Sequence, residues 1–154
     1  MVSKHITERE AYGSATATRL HIDNTPNAEQ LAALQLLAEK VFEPLREWVG
    51  EPIKINSMFR SLALNAAIGG AKGSQHCAEN GAAIDIDDDC CARVNNADMF
   101  HWLRDNVDFD QLIWEFGDES NPDWVHVSYK REGNNRKQVL KATRKDGRTI
   151  YSAI

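Results

Sequence analysis

Apolar residues recur along the chain with two different periods. Within residues 28–49 they are spaced three and four apart, which is typical of a helix with one buried face. Elsewhere, short stretches alternate between apolar and polar residues or are bounded by turn-forming residues, as in β-strands. This second pattern predicts strands at 53–57, 82–87, 111–116, 124–129 and 138–143, a hairpin turn at 146–147, and shorter helices at 62–67 and 96–106.

The mixture of strands and helices predicts an α+β fold, in which helices pack on a small antiparallel sheet. The 154 residues are enough for one hydrophobic core, so we expect a single domain spanning residues 1–154. The first 26 residues show neither period, and they are predicted to wrap irregularly around the domain. Residues 130–154 are rich in lysine and arginine and form a basic carboxyl-terminal segment.

Two of the predicted strands present polar side chains opposite an apolar face. In the strand at 82–87, Ile84 and Ile86 would face the core, so Asp85 points the other way. In the strand at 124–129, Val125 and Val127 share one face and His126 lies on the other. Asp85 and His126 are therefore predicted to project from strands into a cleft or solvent.

These side chains, with a histidine on the preceding loop, are the parts of a catalytic zinc site. Such a site uses three ligands drawn from histidine and carboxylate, and it keeps one position for water. His76, Asp85 and His126 suit the ligand roles, and the expected cofactor is Zn²⁺. Asp123 lies three residues before His126 and suits the general base, which would take a proton from water and pass it to the leaving amine.

The order Ser-x-His, Gly-x-Ala-x-Asp, Asp-x-x-His resembles the zinc D-alanyl-D-alanine carboxypeptidases and the related phage endolysin peptidases, whose fold is shared with the Hedgehog signalling domain. The resemblance implies a zinc site at strand ends and hydrolysis of peptide bonds in peptidoglycan stem peptides. Further segments resemble the small, phage-associated branch of that family: 14–17, 22–26, 55–61, 63–65, 67–71 and 109–116.

The same resemblance suggests roles for residues around the metal ligands. Arg60 would bind the substrate carboxylate or the developing oxyanion, because a guanidinium stays charged and offers a planar fork of donors. Ser74, Gln75 and Glu115 are expected to line the substrate site, and Glu115 is the second candidate for acid/base chemistry. The bond that is cut could be D-Ala-D-Ala, as in a carboxypeptidase, or another bond of the stem peptide, as in an endopeptidase. The sequence does not decide between these two activities.

One departure from the family pattern follows the first histidine. The family places two residues before the glycine, whereas Cys77, Ala78, Glu79 and Asn80 stand here before Gly81. The intact Gly-x-Ala-x-Asp that follows indicates a bulged loop. The longer loop would also allow Cys77 or Glu79 to approach the metal.

Composition adds constraints on partners and location. The net charge of −5 argues against general nucleic-acid binding, and no apolar stretch reaches the ~20 residues that a membrane helix needs. The amino terminus lacks an apolar signal core, so we expect synthesis in the cytoplasm and action on the wall after release or from a virion. The three cysteines are expected to be reduced, and a monomer is expected.

Two other function classes remain open at this stage. The longer loop after His76 favours a catalytically inactive, phage-derived module that keeps the fold and serves in cell-wall binding or as a structural module. Nucleic-acid binding through the basic carboxyl end is the weaker alternative, because no recognition motif or aromatic stacking platform accompanies those charges.

Overall fold

The computed structural model describes residues 1–154 and is built around a six-stranded sheet. In spatial order the strands are β1 (Lys54–Ser57), β2 (Ala82–Asp87), β4 (Trp124–Tyr129), β3 (Gln111–Glu115), β5 (Gln138–Lys145) and β6 (Arg148–Ala153). Neighbouring strands run antiparallel except β3 and β5, which are parallel. The α+β class is confirmed, but the sheet is mixed and not purely antiparallel. The parallel pair arises because the segment after β4 carries the chain past β3, so that β5 runs opposite to β4.

Helices cover the apolar face of the sheet and its ends. They are α1 (Glu8–Tyr12), α2 (Ala15–Arg19), α3 (Ala28–Leu37), α4 (Glu43–Val49), α5 (Leu62–Ala67) and α6 (Asn96–Asn106). A π-helical turn, Ala38–Phe42, joins α3 to α4, so the predicted helix over 28–49 is one continuous helical segment. Pro44 lies two residues after the end of this π-helical turn. A proline inside a helix removes one backbone hydrogen bond, and the irregular bonding of the turn coincides with that missing bond. Gly50 ends the segment with a φ of 75°.

The amino-terminal segment is more regular than predicted. Residues 1–26 contain α1 and α2, each five residues long, which is too short to show a helical period in the sequence. The side chain of Thr7 accepts a hydrogen bond from the backbone of Glu10, whose own side chain bonds back to Thr7. Ile6 and Ala11 are buried in the main core, so this segment is an integral part of the packing.

The two faces of the sheet have different surroundings. Ile84, Ile86, Val125 and Val127 are fully or almost fully buried beneath the helices, as the strand alternation predicts. The opposite face carries a small apolar cluster formed by Ile113, Leu140 and Ala142, and next to it an open cleft. Polar side chains from β2 and β4 therefore project into the cleft without disturbing the core. None of the helices is long and apolar enough to cross a membrane.

Candidate metal centre and cleft

The pairing of β2 with β4 brings two of the predicted metal ligands together. Asp85 and His126 are direct partners in the antiparallel register, so both side chains lie on the same face of the sheet. His126 Nδ1 lies 2.9 Å from Asp85 Oδ1. Because both residues belong to strands that have neighbours on each side, their backbone positions are fixed by the sheet.

His76 reaches the same point from a 3-10 turn, Gln75–Cys77, ahead of β2. The backbone N–H of Arg60 donates to the carbonyl of His76 at 2.9 Å, which holds the turn against the segment after β1. Nδ1 of the His76 ring lies 2.7 Å from the carbonyl oxygen of Met58. A carbonyl oxygen only accepts, so Nδ1 carries the proton and Nε2 is left for a metal. That Nε2 atom lies 3.3 Å from Asp85 Oδ2.

His76, Asp85 and His126 form a group that can hold a metal ion. Their three ligand atoms lie within 4.8 Å of one another, and His76 is only 3% exposed. Burial alone would raise the pKa of Asp85, but hydrogen bonds with His126 and His76, and their charges, hold it well below its usual value. The carboxylate is therefore ionised and ready to bind a cation. Two imidazole nitrogens and one carboxylate oxygen are a donor set that suits zinc.

The longer loop after His76 folds away from this group. Cys77 is buried and is not among the grouped ligand atoms. The Glu79 carboxylate accepts a hydrogen bond from Gln30 Nε2 at 2.9 Å, on the exposed side of the loop. Neither side chain joins the candidate metal ligands, and the extra residues leave His76 within the group.

Glu115 lies on the floor of the cleft close to the metal-binding group. The cleft has a volume of about 970 Å³ and is lined by His76, Asp85, Glu115 and His126 among others. Glu115 is the register partner of Trp124, two residues before His126, so its side chain points to the same face as His126. It is 7% exposed, and burial raises its pKa to about 7, with a lowering contribution from His126 and a raising one from Asp85. A buried carboxyl group with such a pKa can both accept and donate a proton near neutral pH.

Asp123, the base expected from the sequence, lies elsewhere. It is exposed, does not line the cleft, and precedes β4. Its backbone is tied down, since its N–H donates to the carbonyl of Glu115 at 2.9 Å and its carbonyl accepts from Asn96. Asp123 lies in a bend before the first residue of β4, so the alternation of that strand does not aim its side chain at the face of His126. Of the two carboxyl groups, Glu115 lines the cleft that contains His76, Asp85 and His126, and Asp123 does not.

Arg60, Ser74 and Gln75 all line the cleft, as expected from the sequence. Arg60 Nη2 donates to Ser74 Oγ at 3.3 Å, and Arg60 Nε is buried without a hydrogen-bond partner. Gln75 Nε2 donates to Asp110 Oδ2 at 3.0 Å and to the carbonyl of Asn80 at 3.2 Å. Arg60 is therefore the member of this trio with donor capacity left for a substrate, while Gln75 braces the turn that carries His76.

Sequence reasoning did not identify the wall contributed by the carboxyl-terminal strands. Lys130, Arg136 and Arg144 line the cleft together with Tyr151, although no role in the site was predicted for the basic segment. The parallel pairing of β5 with β3 places β5, and with it the segments before and after β5, beside the cleft, and no local pattern signals that pairing. The excess of cations in this segment was the one available signal.

A His–Asp–His group beside a buried carboxyl group, in the cleft of an α+β fold, is typical of metal-dependent hydrolases. The model of the family described as peptidase M15 matches residues 4–128. The chain belongs to the peptidase M15 family, which makes it a metallopeptidase by family and identifies its substrate as a peptide. A search of the curated proteins found no match.

Proposed function

We propose that the protein is a zinc peptidase that hydrolyses peptide bonds in the stem peptides of peptidoglycan. The observation that carries this proposal is the His76–Asp85–His126 group beside buried Glu115, in a member of the peptidase M15 family. Zinc held by these three side chains would polarise the scissile carbonyl and lower the pKa of water to roughly 7. Action on the cell wall after release, a phage origin and the monomeric state stay predictions.

In this mechanism Glu115 is the general base and then the general acid. Its carboxylate accepts the proton of the attacking water, and the resulting carboxylic acid donates it to the leaving amine. The position of Glu115 on the same sheet face as His126 supports this role better than the exposed position of Asp123 supports the one first expected. The raised pKa of Glu115 agrees with a group that is used in both protonation states.

Arg60 is proposed to bind the negative charge of the substrate. Its backbone N–H donates to the carbonyl of His76 and its Nη2 donates to Ser74 Oγ, so Arg60 is tied to the segment that carries His76 and lines the same cleft. It forms no ion pair within the protein, and its charge is therefore available to a carboxylate or to the oxygen of the scissile carbonyl.

The roles of the two carboxyl groups are separated by a pair of isosteric substitutions. We expect Glu115→Gln to lower kcat by about 100-fold or more, because the amide cannot accept the proton. Asp123→Asn is the matched control and should keep kcat within about threefold of the unchanged protein. Bound zinc, measured by elemental analysis, should be the same in both variants. Full activity in Glu115→Gln together with loss of activity in Asp123→Asn would reverse the assignment.

The products define the reaction. Mass spectrometry of material released from purified peptidoglycan, with a chelated sample as control, distinguishes the two forms of the proposal. Free D-alanine would identify a carboxypeptidase, and longer stem peptides would identify an endolysin-type endopeptidase. Absence of any zinc-dependent product from several wall types would favour the alternative, a wall-binding module of the same fold. The position of His76 removes the observation that first suggested that module, because the longer loop does not displace the residue.

A further inference from the structure

The hairpin of β5 and β6 forms one wall of the cleft and lies outside the residues that match the family model, 4–128. Register places Ala142 opposite both Glu115 and Tyr151, so β5 and β6 continue the sheet face that carries the metal-binding group. Arg144 follows two residues after Ala142 on this face. Strand spacing puts its Cα roughly 8 Å from that of Glu115. The side chains of this wall are thus within reach of a peptide bound over Glu115.

The cleft is cationic although the chain as a whole is acidic. The complete sequence has 18 lysines and arginines against 23 aspartates and glutamates. Five cationic side chains line the cleft against the two carboxylates of Asp85 and Glu115; the cations are Arg60, Lys72, Lys130, Arg136 and Arg144. A cleft with this balance attracts anionic ligands.

Most of the cations on the hairpin side are already paired inside the protein. Arg136 donates to buried Asp110 at 2.7 Å, and Lys130 lies 3.7 Å from the same carboxylate. Arg144 forms no ion pair, and its guanidinium carbon lies 5.1 Å from the centre of the Phe116 ring. Contact with an aromatic ring holds a guanidinium in place while leaving its N–H groups free. Arg144 is therefore an oriented cation in the cleft without a partner.

We propose that Arg144 binds a free carboxylate on the peptide substrate, on the side of Glu115 opposite to Arg60. This inference rests on the proposed peptidase function and adds the substrate class: a stem peptide with an acidic residue that is separate from the group bound by Arg60. The planar fork of a guanidinium donates two parallel hydrogen bonds to a carboxylate. An amide in the same place has one oxygen to accept these hydrogen bonds and carries no charge. Arg144 is thus a specificity-determining residue of a wall that the family match does not include.

A pair of synthetic stem peptides tests this assignment. The two peptides differ only in their glutamate residue, which carries a free carboxylate in one and the corresponding amide in the other. We expect the unchanged protein to show a kcat/KM about tenfold higher for the free carboxylate, mostly through KM. Arg144→Gln should remove that preference, and Arg144→Lys should keep part of it because the charge remains without the planar fork.

Lys145→Gln provides the matched control. Lys145 is the next residue on β5, so it points to the other sheet face; it is exposed and does not line the cleft. This variant loses the same charge and should discriminate between the two peptides as the unchanged protein does. The same preference can be measured without turnover in the Glu115→Gln background. Calorimetry would give the Kd of each peptide for the Glu115→Gln protein and for the same protein that also carries Arg144→Gln.

The outcomes separate this inference from the function on which it rests. Cleavage of both peptides at the same rate, or an equal preference before and after Arg144→Gln, would overturn the Arg144 assignment and leave the peptidase proposal standing. Failure to cleave or bind either peptide would overturn both. An equal loss of preference in Lys145→Gln would show a general charge effect and no specific site.

Discussion

Asp110 is a fully buried carboxylate that connects the two sides of the cleft. It accepts hydrogen bonds from the backbone N–H, Nε and Nη2 of Arg136 at 3.1, 3.0 and 2.7 Å, and from Gln75 at 3.0 Å. Burial alone would raise the pKa of Asp110, but the bonds from Arg136 and Gln75, with the charge of Arg136, hold it below its usual value. One side chain thus braces both the turn that carries His76 and the segment that leads into β5.

Asp110→Asn should destabilise the protein by roughly 2 kcal/mol at pH 7, because it leaves the Arg136 guanidinium without its charged partner. Water replaces part of the lost interaction, since the Arg136 side chain is half exposed. A pKa lowered in the folded state adds stability above the unfolded value of 3.8, and this contribution disappears as the pH falls through the folded pKa. The difference between the two proteins should therefore shrink between pH 5 and pH 2, measured by urea unfolding. A difference that stays constant over this range would show that ionisation of Asp110 contributes nothing.

Single residues were predictable where a short motif defined them. His76, Asp85 and His126 were identified from local order and strand alternation, and the structure groups their ligand atoms. The register of β3 with β4 places Glu115 on the sheet face of His126, and this non-local pairing could not be inferred from spacing along the sequence. The assignment of the general base to Asp123 or to Glu115 stays a prediction. Asp110 lies in a segment that resembles the family, but its role was not predicted, since its partners Gln75 and Arg136 are far from it in the chain.

Among the elements, the connection between the His76 turn and β2 absorbs the additional residues. Ala78 ends the turn with a φ of 55°, and Gly81 has a φ of 88° just before β2. A Cβ at Gly81 would lie 2.5 Å from the carbonyl oxygen of Tyr129, at the end of β4. Close packing of this connection against β4 therefore requires glycine.

Gly81→Ala should cost about 2–4 kcal/mol of stability, because a positive φ and a backbone contact are both unfavourable for alanine. Gly73→Ala is the matched control, since Gly73 has a φ of 77° but open space around its missing Cβ. We expect the control to cost about 1 kcal/mol, and the difference between the variants isolates the contact with β4. Thermal unfolding of both variants measures it, and equal costs would contradict the close approach.

Elements with a long apolar period were predicted well, and short or non-local ones were not. The helical segment over 28–49, α5, α6 and the strands β2 and β4 lie where the pattern placed them. The helices α1 and α2 were missed because each is a single capped turn that depends on side-chain hydrogen bonds. The parallel pairing of β5 with β3 was missed because register between distant strands depends on the whole fold.

At the scale of the whole molecule, the metal-binding group joins parts of the chain that are far apart. His76 lies on a turn, Asp85 on β2 and His126 on β4, and together they span residues 76–126. A ligand that binds only this assembled arrangement stabilises the folded state by mass action. Binding of a metal ion to this group would therefore be coupled to global stability.

Zinc in excess should raise the Tm of the protein, by several degrees when the free metal is about 100-fold above its Kd. A chelator should reverse the shift. His126→Ala removes one ligand from the group and should abolish most of the response to zinc, whereas His21→Ala, on an exposed residue away from the cleft, should keep it. Differential scanning calorimetry with and without zinc measures these shifts, and an unchanged response in His126→Ala would exclude this residue as a ligand.

The direct pairing of Asp85 with His126 also sets a condition for assembling the complete ligand set. These two positions are separated by 41 residues, so loop-closure entropy must be overcome before β2 and β4 meet. During synthesis the ligand set stays incomplete until the ribosome has released residues beyond β4. Binding of a metal ion by all three side chains therefore requires that β2 and β4 have already paired.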